Sequence, residues 1–98
     1  MSVFQTLGIA YKARKILLGD TLITAIRKSK VSLVLIAKDC GEATRKKILD
    51  KCRSFNVKYI EYGSKIELGH ALGKSQISSI GIIDEGFAKL ILKALTSL

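Results

Sequence analysis

The sequence predicts a three-layer α/β/α sandwich around a four-stranded, largely parallel or mixed sheet. Two observations carry that prediction. Helical and extended patterns alternate along the whole chain. One extended stretch, "SLVLIAKD" at 32–39, is a continuous apolar run rich in branched residues, as a strand buried on both faces requires. A third observation bounds the answer. The 98 residues hold no linker, repeat or break in composition, so 1–98 is expected to fold as a single domain.

Each element has its own justification. Residues 2–15 place Val3, Phe4, Leu7, Ala10, Tyr11 and the stem of Arg14 at helical spacing, with Ser2 as N-cap. "ILL" at 16–18 is a short extended piece ended by Gly19. "DTLITAIRKSK" at 20–30 offers Asp20 or Thr21 as N-cap and puts Leu22, Ala25 and Ile26 on one face. Its cationic tail suits the negative end of a helix. Residues 41–55 form the next helix, with Ala43, Ile48, Leu49, Cys52 and Phe55 as its buried side. "VKYIEY" at 57–62 alternates as a strand does. In the helix from Ser64 to Gly73, Ser64 and Glu67 have capping-box spacing, and Ile66, Leu68, Ala71 and Leu72 form the buried side. Gly69 in its middle costs about 1 kcal/mol against Ala, so it implies close packing. Gly73 suits a left-handed stop. "ISSIGII" at 77–83 is a strand whose Gly81 permits close contact. The chain closes on an amphipathic helix with Phe87, Leu90, Ile91, Ala94, Leu95 and Leu98 in one stripe.

A composition of 48% hydrophobic and 26% charged residues belongs to a folded chain. The longest apolar runs are far too short to span a membrane, so no membrane partner is expected. The N-terminus lacks the charge order of a secretory signal, and the reading is cytoplasmic. Cys40 and Cys52 lack companions at zinc spacing and read as reduced, buried thiols.

The net charge of +9 is unevenly spread. Up to residue 30, Lys12, Arg14, Lys15, Arg27, Lys28 and Lys30 stand against Asp20 alone. Residues 31–58 stay strongly basic, whereas beyond them four lysines are cancelled by Glu61, Glu67, Asp84 and Glu85. A basic half joined to a neutral half points to a polyanion on one face.

Catalytic chemistry is not expected. The one histidine, His70, reads as a surface residue, and no nucleophile–base pair, carboxylate dyad, phosphate loop or metal-ligand spacing survives inspection. The chain reads as a non-enzyme without cofactor or metal.

Three stretches, "YKARKILLGD", "SLVLIAKD" and "YGSKIELGHALG" with "SSIGIIDEG", resemble the ribosomal protein L-seven-Ae / L-thirty-e family of kink-turn RNA binders, with the look of its small bacterial, YlxQ-like branch. The resemblance runs from about Ala10 to the end. It implies the same sandwich, and RNA contact at one end of it. The contacting elements would be the turn into the second helix, the loop after the second strand and the loop before the last strand. The family's turn reads Gly, a small residue, Asn-Glu, then Lys three positions on. Here Gly19 matches and one residue is missing after it. Asp20 then stands for Asn, Thr21 for Glu and Thr24 for Lys, which implies a weakened kink-turn motif. Lys74, Ser75, Gln76 and Ile77 correspond to the base-capping loop.

The expected function is therefore a small ribosome-associated type of protein that binds structured RNA, either ribosomal RNA or a kink-turn, in a ribosome or ribonucleoprotein. Lys12, Arg14, Lys15, Arg27 and Lys28 would meet phosphate. Gly19, Asp20, Thr21, Thr24 and 74–77 would face the groove. The competing class is a non-catalytic protein-interaction module on the same scaffold.

Overall fold

The computed structural model describes residues 2–96. Its elements are α1 (Val3–Lys12), β1 (Ile16–Leu17), α2 (Gly19–Arg27), β2 (Leu33–Ile36), α3 (Glu42–Ser54), β3 (Tyr59–Glu61), α4 (Lys65–Ala71), β4 (Ser79–Ile82) and α5 (Glu85–Thr96). The strands form one mixed sheet in the order β1-β4-β2-β3. β2 and β3 are parallel, while β4 runs antiparallel to both β1 and β2. The predicted sandwich and every predicted element are present.

The layers follow from strand alternation. Leu33 and Leu35 of β2, with Ile80 and Ile82 of β4, point to a core shared with Val3, Leu7, Leu68 and Ile91 from α1, α4 and α5. Val34 and Ile36 point the other way, against Leu22 and Ile26 of α2 and Ile48, Leu49 and Cys52 of α3. All four residues of β2 are fully buried, which explains its unbroken apolar run. Gly81 completes the second core, because a β-carbon there would collide with the Leu22 side chain.

The structure corrects several boundaries and faces. α1 ends at Lys12, and Arg14 adopts a left-handed φ of 61° outside the helix, fully exposed. Neither Asp20 nor Thr21 caps α2. Leu18 occupies the N-cap without a side-chain hydrogen bond, and both polar residues lie in the first turn. Ala43 and Phe55 are exposed, since α3 turns Ile48, Leu49 and Cys52 inward and these lie on a narrower arc. Ile66 and Leu90 are also exposed, each on the outer flank of its helix. Cys52 is buried, whereas Cys40 is only half-buried, and both are free thiols. His70 is exposed, as expected. Leu98 lies outside the described residues.

Candidate nucleic-acid interface

Strand direction gives the sandwich two ends. The chain leaves β1, β2 and β3 at one end, and enters β4 there. This turn end collects Gly19, the segment after β2, the N-terminus of α4 and the loop before β4. The opposite end collects the C-termini of α1, α2 and α3 and the start of α5.

Gly19 opens α2 with a φ of 60°. No atom lies within 4 Å of where its β-carbon would stand, so glycine serves the backbone conformation rather than space. α2 follows without a side-chain cap, unlike α1 and α4, whose Ser2–Gln5 and Ser64–Glu67 capping boxes are complete. The first-turn amides of α2 therefore face solvent at the positive end of the helix dipole, where phosphate is favoured. Asp20, Thr21 and Thr24 are exposed on the side of α2 opposite Leu22, Ala25 and Ile26. Helical periodicity continues that stripe to Arg27 and Lys28, about 12 Å further along the axis.

The second predicted piece, 74–77, divides. Lys74, Ser75 and Gln76 are exposed. Ile77 does not face a groove: it is 8% exposed within the α1–α4–α5 core, and its N–H donates to the Lys65 carbonyl at 3.0 Å. A branched apolar side chain beside Leu68 gains more from burial than from contact with RNA. The loop is held tightly against α4. A β-carbon on Gly69 would stand 2.8 Å from the carbonyl carbon and oxygen of Ser75. The close packing inferred for Gly69 is thus real, and the approaching backbone is this returning loop. Gly73, with a φ of 74°, makes the reversal. The Lys74 ammonium lies 5.7 Å from the centre of the Tyr11 ring, a cation–π contact that holds it on the α1–α4 flank.

Leu17 pairs with Gly81 antiparallel, so the turn leaving β1 and the segment entering β4 lie side by side at the turn end. The predicted phosphate contacts do not share that place. Lys12 closes α1 and lines the α1–α4 groove with Gly73, while Arg14 and Lys15 precede β1 at the far end. Arg27 and Lys28 end α2, also away from Gly19. Arg14, Lys15, Arg27 and Lys28 therefore share one end of the sandwich, and the Gly19 turn stands at the other. Composition cannot show this, because it does not reveal that the helix C-termini gather at one end.

Two cations at the turn end escape a motif-based reading. Lys38, exposed, follows β2, and its N–H donates to the Gly63 carbonyl at 2.8 Å. Lys65 opens α4, with its N–H bonded to Asp39 Oδ1 at 2.8 Å. The available signal was position, since each lies just beyond a predicted strand end. Carboxylates oppose them: Asp20, Asp39, Glu42, Glu61 and Glu67 also lie near this end. Arg45 pairs with Glu61 across the edge of the sheet. Among the described residues, no group of His, Cys, Asp or Glu could hold a metal ion.

The chain is similar to known proteins. The model of the ribosomal protein L7Ae/L30e/S12e/Gadd45 family matches residues 1–92. The chain is 36% identical over 96 residues to the RNA-binding protein YlxQ of Bacillus subtilis (strain 168), covering 97% of this chain and 96% of that one. It is 38% identical over 84 residues to the RNA-binding protein YlxQ of Enterococcus faecium, covering 85% and 81%. The solved structure of a Bacillus halodurans protein of unknown function matches with a TM-score of 0.89 at 34% identity over 96% of both chains. The Giardia lamblia 15.5kD RNA binding protein matches with a TM-score of 0.78 at 20% identity, over 97% of this chain and 82% of that one, which is a likeness of fold.

Proposed function

Because the chain belongs to the ribosomal protein L7Ae/L30e/S12e/Gadd45 family, we propose that it binds structured RNA without catalysis, through the turn end of the sandwich. The observation that supports this reading is the Gly19 turn with its uncapped α2 amides, at the end of the sandwich where the chain enters β4 after the exposed Lys74–Gln76 loop. Both large relatives by coverage are named RNA-binding proteins, which supports the same reading. Free amides at a helix N-terminus accept phosphate, and an exposed loop can meet a splayed base. Lys12, Arg14, Lys15, Arg27 and Lys28 supply sequence-independent attraction to the backbone.

The preferred ligand is a kinked or otherwise distorted RNA helix of the kink-turn type, in ribosomal RNA or another ribonucleoprotein of the cytoplasm, bound more weakly than by an intact motif. Asp20 only accepts hydrogen bonds when ionised, and it repels phosphate. Thr21 is shorter than Glu, and Thr24 carries no charge. Titration of a kink-turn duplex beside a straight duplex of equal length tests the reading. Kink-selective binding of moderate strength supports it. Equal indifference to both RNAs would sink it.

A second reading, a protein-interaction module, draws on one observation. An open groove between α1 and α4 is lined by Phe4, Gly8, Ile9, Tyr11, Ala71 and Leu72, with Ile9 47% exposed on its rim. Loss of RNA selectivity together with retention of this groove would favour that class.

A further inference from the structure

The charge that composition assigned to one face gathers at the end of the sandwich away from Gly19. Lys15 immediately precedes β1, and Lys58 immediately precedes β3. Lys30 lies just before β2, and Arg14, Arg27 and Lys28 stand beside them. All six are exposed. Backbone hydrogen bonds fix the row across the sheet. The Ile83 N–H donates to the Lys15 carbonyl at 3.0 Å, the Ser32 N–H to Ile82 at 2.8 Å, and the Val34 N–H to Lys58 at 2.9 Å. With strands about 4.8 Å apart, the three lysines span roughly 14 Å across one sheet edge.

Helix dipoles do not account for this row. α1, α2 and α3 all end here, and each C-terminus carries about −0.5 of a charge, roughly −1.5 together. Six formal cations exceed that several-fold. The helix ends also have backbone closures of their own, through the left-handed residues Arg14, Ser29 and Asn56. Three carboxylates near this end, Asp50, Asp84 and Glu85, cancel only part of the surplus. Asp84 accepts the Phe87 N–H at 2.9 Å as the cap of α5, and Glu85 lies on the α5 side. Between the α2–β2 turn and α5 runs an open groove lined by Ser29, Lys30, Ser32, Glu85 and Lys89, whose hydroxyls and ammonium groups suit phosphate oxygens.

We propose that this end is a second phosphate-binding surface, on which Lys15, Lys30 and Lys58 hold the backbone of a further helical segment of the bound RNA. The inference rests on the RNA-binding reading and adds a second contact to it. Gly19 lies about 13 Å along the sheet from Lys15, at an extended rise of roughly 3.3 Å per residue. One end then recognises RNA shape, and the other grips backbone without regard to sequence. A protein so divided holds two arms of one RNA, or two RNAs, around itself.

Backbone amide NMR of the full chain tests this, with a short straight RNA duplex and a kink-turn RNA as probes. The straight duplex is expected to shift the amides of Lys15, Ser29–Lys30 and Lys58 and to leave Gly19–Thr24 unmoved. The kink-turn RNA is expected to shift both sets. The combined variant Lys15→Gln, Lys30→Gln, Lys58→Gln removes only exposed charge. It should keep the native spectrum and lower the log–log salt slope for the straight duplex by about 2–3, at 0.7–0.9 per phosphate. Shifts at Gly19–Thr24 with this end silent, or an unchanged salt slope in the variant, would overturn the second surface and leave the proposed function standing. Silence everywhere with both RNAs would overturn both.

Discussion

At the scale of single residues, Gly69 shows how a local penalty supports a site. Replacing it by Ala would gain about 1 kcal/mol in helix propensity. The new methyl would stand 2.8 Å from the Ser75 carbonyl group and 2.9 Å from Gln76 Cα, all backbone that cannot swing aside. Overpacking of this kind costs typically 1–3 kcal/mol. Gly69→Ala should therefore lower stability in urea unfolding and weaken RNA binding by moving the loop; a more stable variant with unchanged binding would show that the loop yields. Cys52 gives a second, independent prediction. Burial raises its thiol from 9.0 to about 11. The folded state thus keeps the proton that the unfolded state begins to lose near pH 9. The stabilisation is complete below pH 9 and disappears as pH rises towards 11, by about 2–3 kcal/mol at 1.36 per pH unit. Cys52→Ser or Cys52→Ala should flatten that alkaline decline, and alkylation of the native chain should modify half-buried Cys40 well before Cys52.

At the scale of elements, capping separates α1 and α4, whose capping boxes are complete, from α2 and α3, which have no side-chain cap. Ser64 Oγ accepts the Glu67 N–H at 3.1 Å, and Glu67 Oε1 accepts the Ser64 N–H at 3.0 Å. Ser64→Ala should cost about 1 kcal/mol in equilibrium unfolding. In α2 the same positions hold Leu18 and Thr21, and neither Thr21 nor the adjacent Asp20 caps the helix. If these stand where a reading motif once stood, then Asp20→Asn, Thr21→Glu, Thr24→Lys should strengthen kink-turn binding. Each regained hydrogen bond to a charged group is worth roughly 1.5–3 kcal/mol. A triple variant no tighter than the unmodified chain would mean that the residue missing after Gly19 misaims the turn.

The elements also show what can be read from a sequence. Periodicity located every helix and strand because each buries a face, and Ser64 and Gly73 announced their own ends. Asp20 and Thr21 suit a cap chemically, but the left-handed Gly19 opens the helix and moves the N-cap to Leu18, two residues before Asp20. The family resemblance places Ile77 in the base-capping loop. Its burial depends on how α4 and the returning chain pack, which local pattern does not contain. Spacing places Ile66 and Leu90 on the buried faces, but short helices on a small domain expose their flanks.

At the scale of the whole molecule, the decisive property is where the charge lies. Gly19 and Lys15, about 13 Å apart along the sheet, stand about one to two Debye lengths from each other at physiological salt. The basic end therefore steers polyanions to the entire molecule, while the carboxylates around Gly19 weaken the field at the turn. Most of the affinity for RNA should then be electrostatic and insensitive to sequence, and the turn should add selectivity rather than strength. Lys12→Ala, Arg14→Ala and Lys15→Ala together should weaken straight and kinked RNAs by similar factors, leaving the ratio between them unchanged. Ionic strength tests the same idea without mutation. With roughly three to five phosphates neutralised, at 0.7–0.9 each, log Kd should rise with log salt at a slope of about 2–4.5. The straight and kinked RNAs should share most of that slope, with selectivity persisting at high salt because it arises from hydrogen bonds at the turn. Binding that stays flat between low and physiological salt would remove the electrostatic account, whichever RNA is bound.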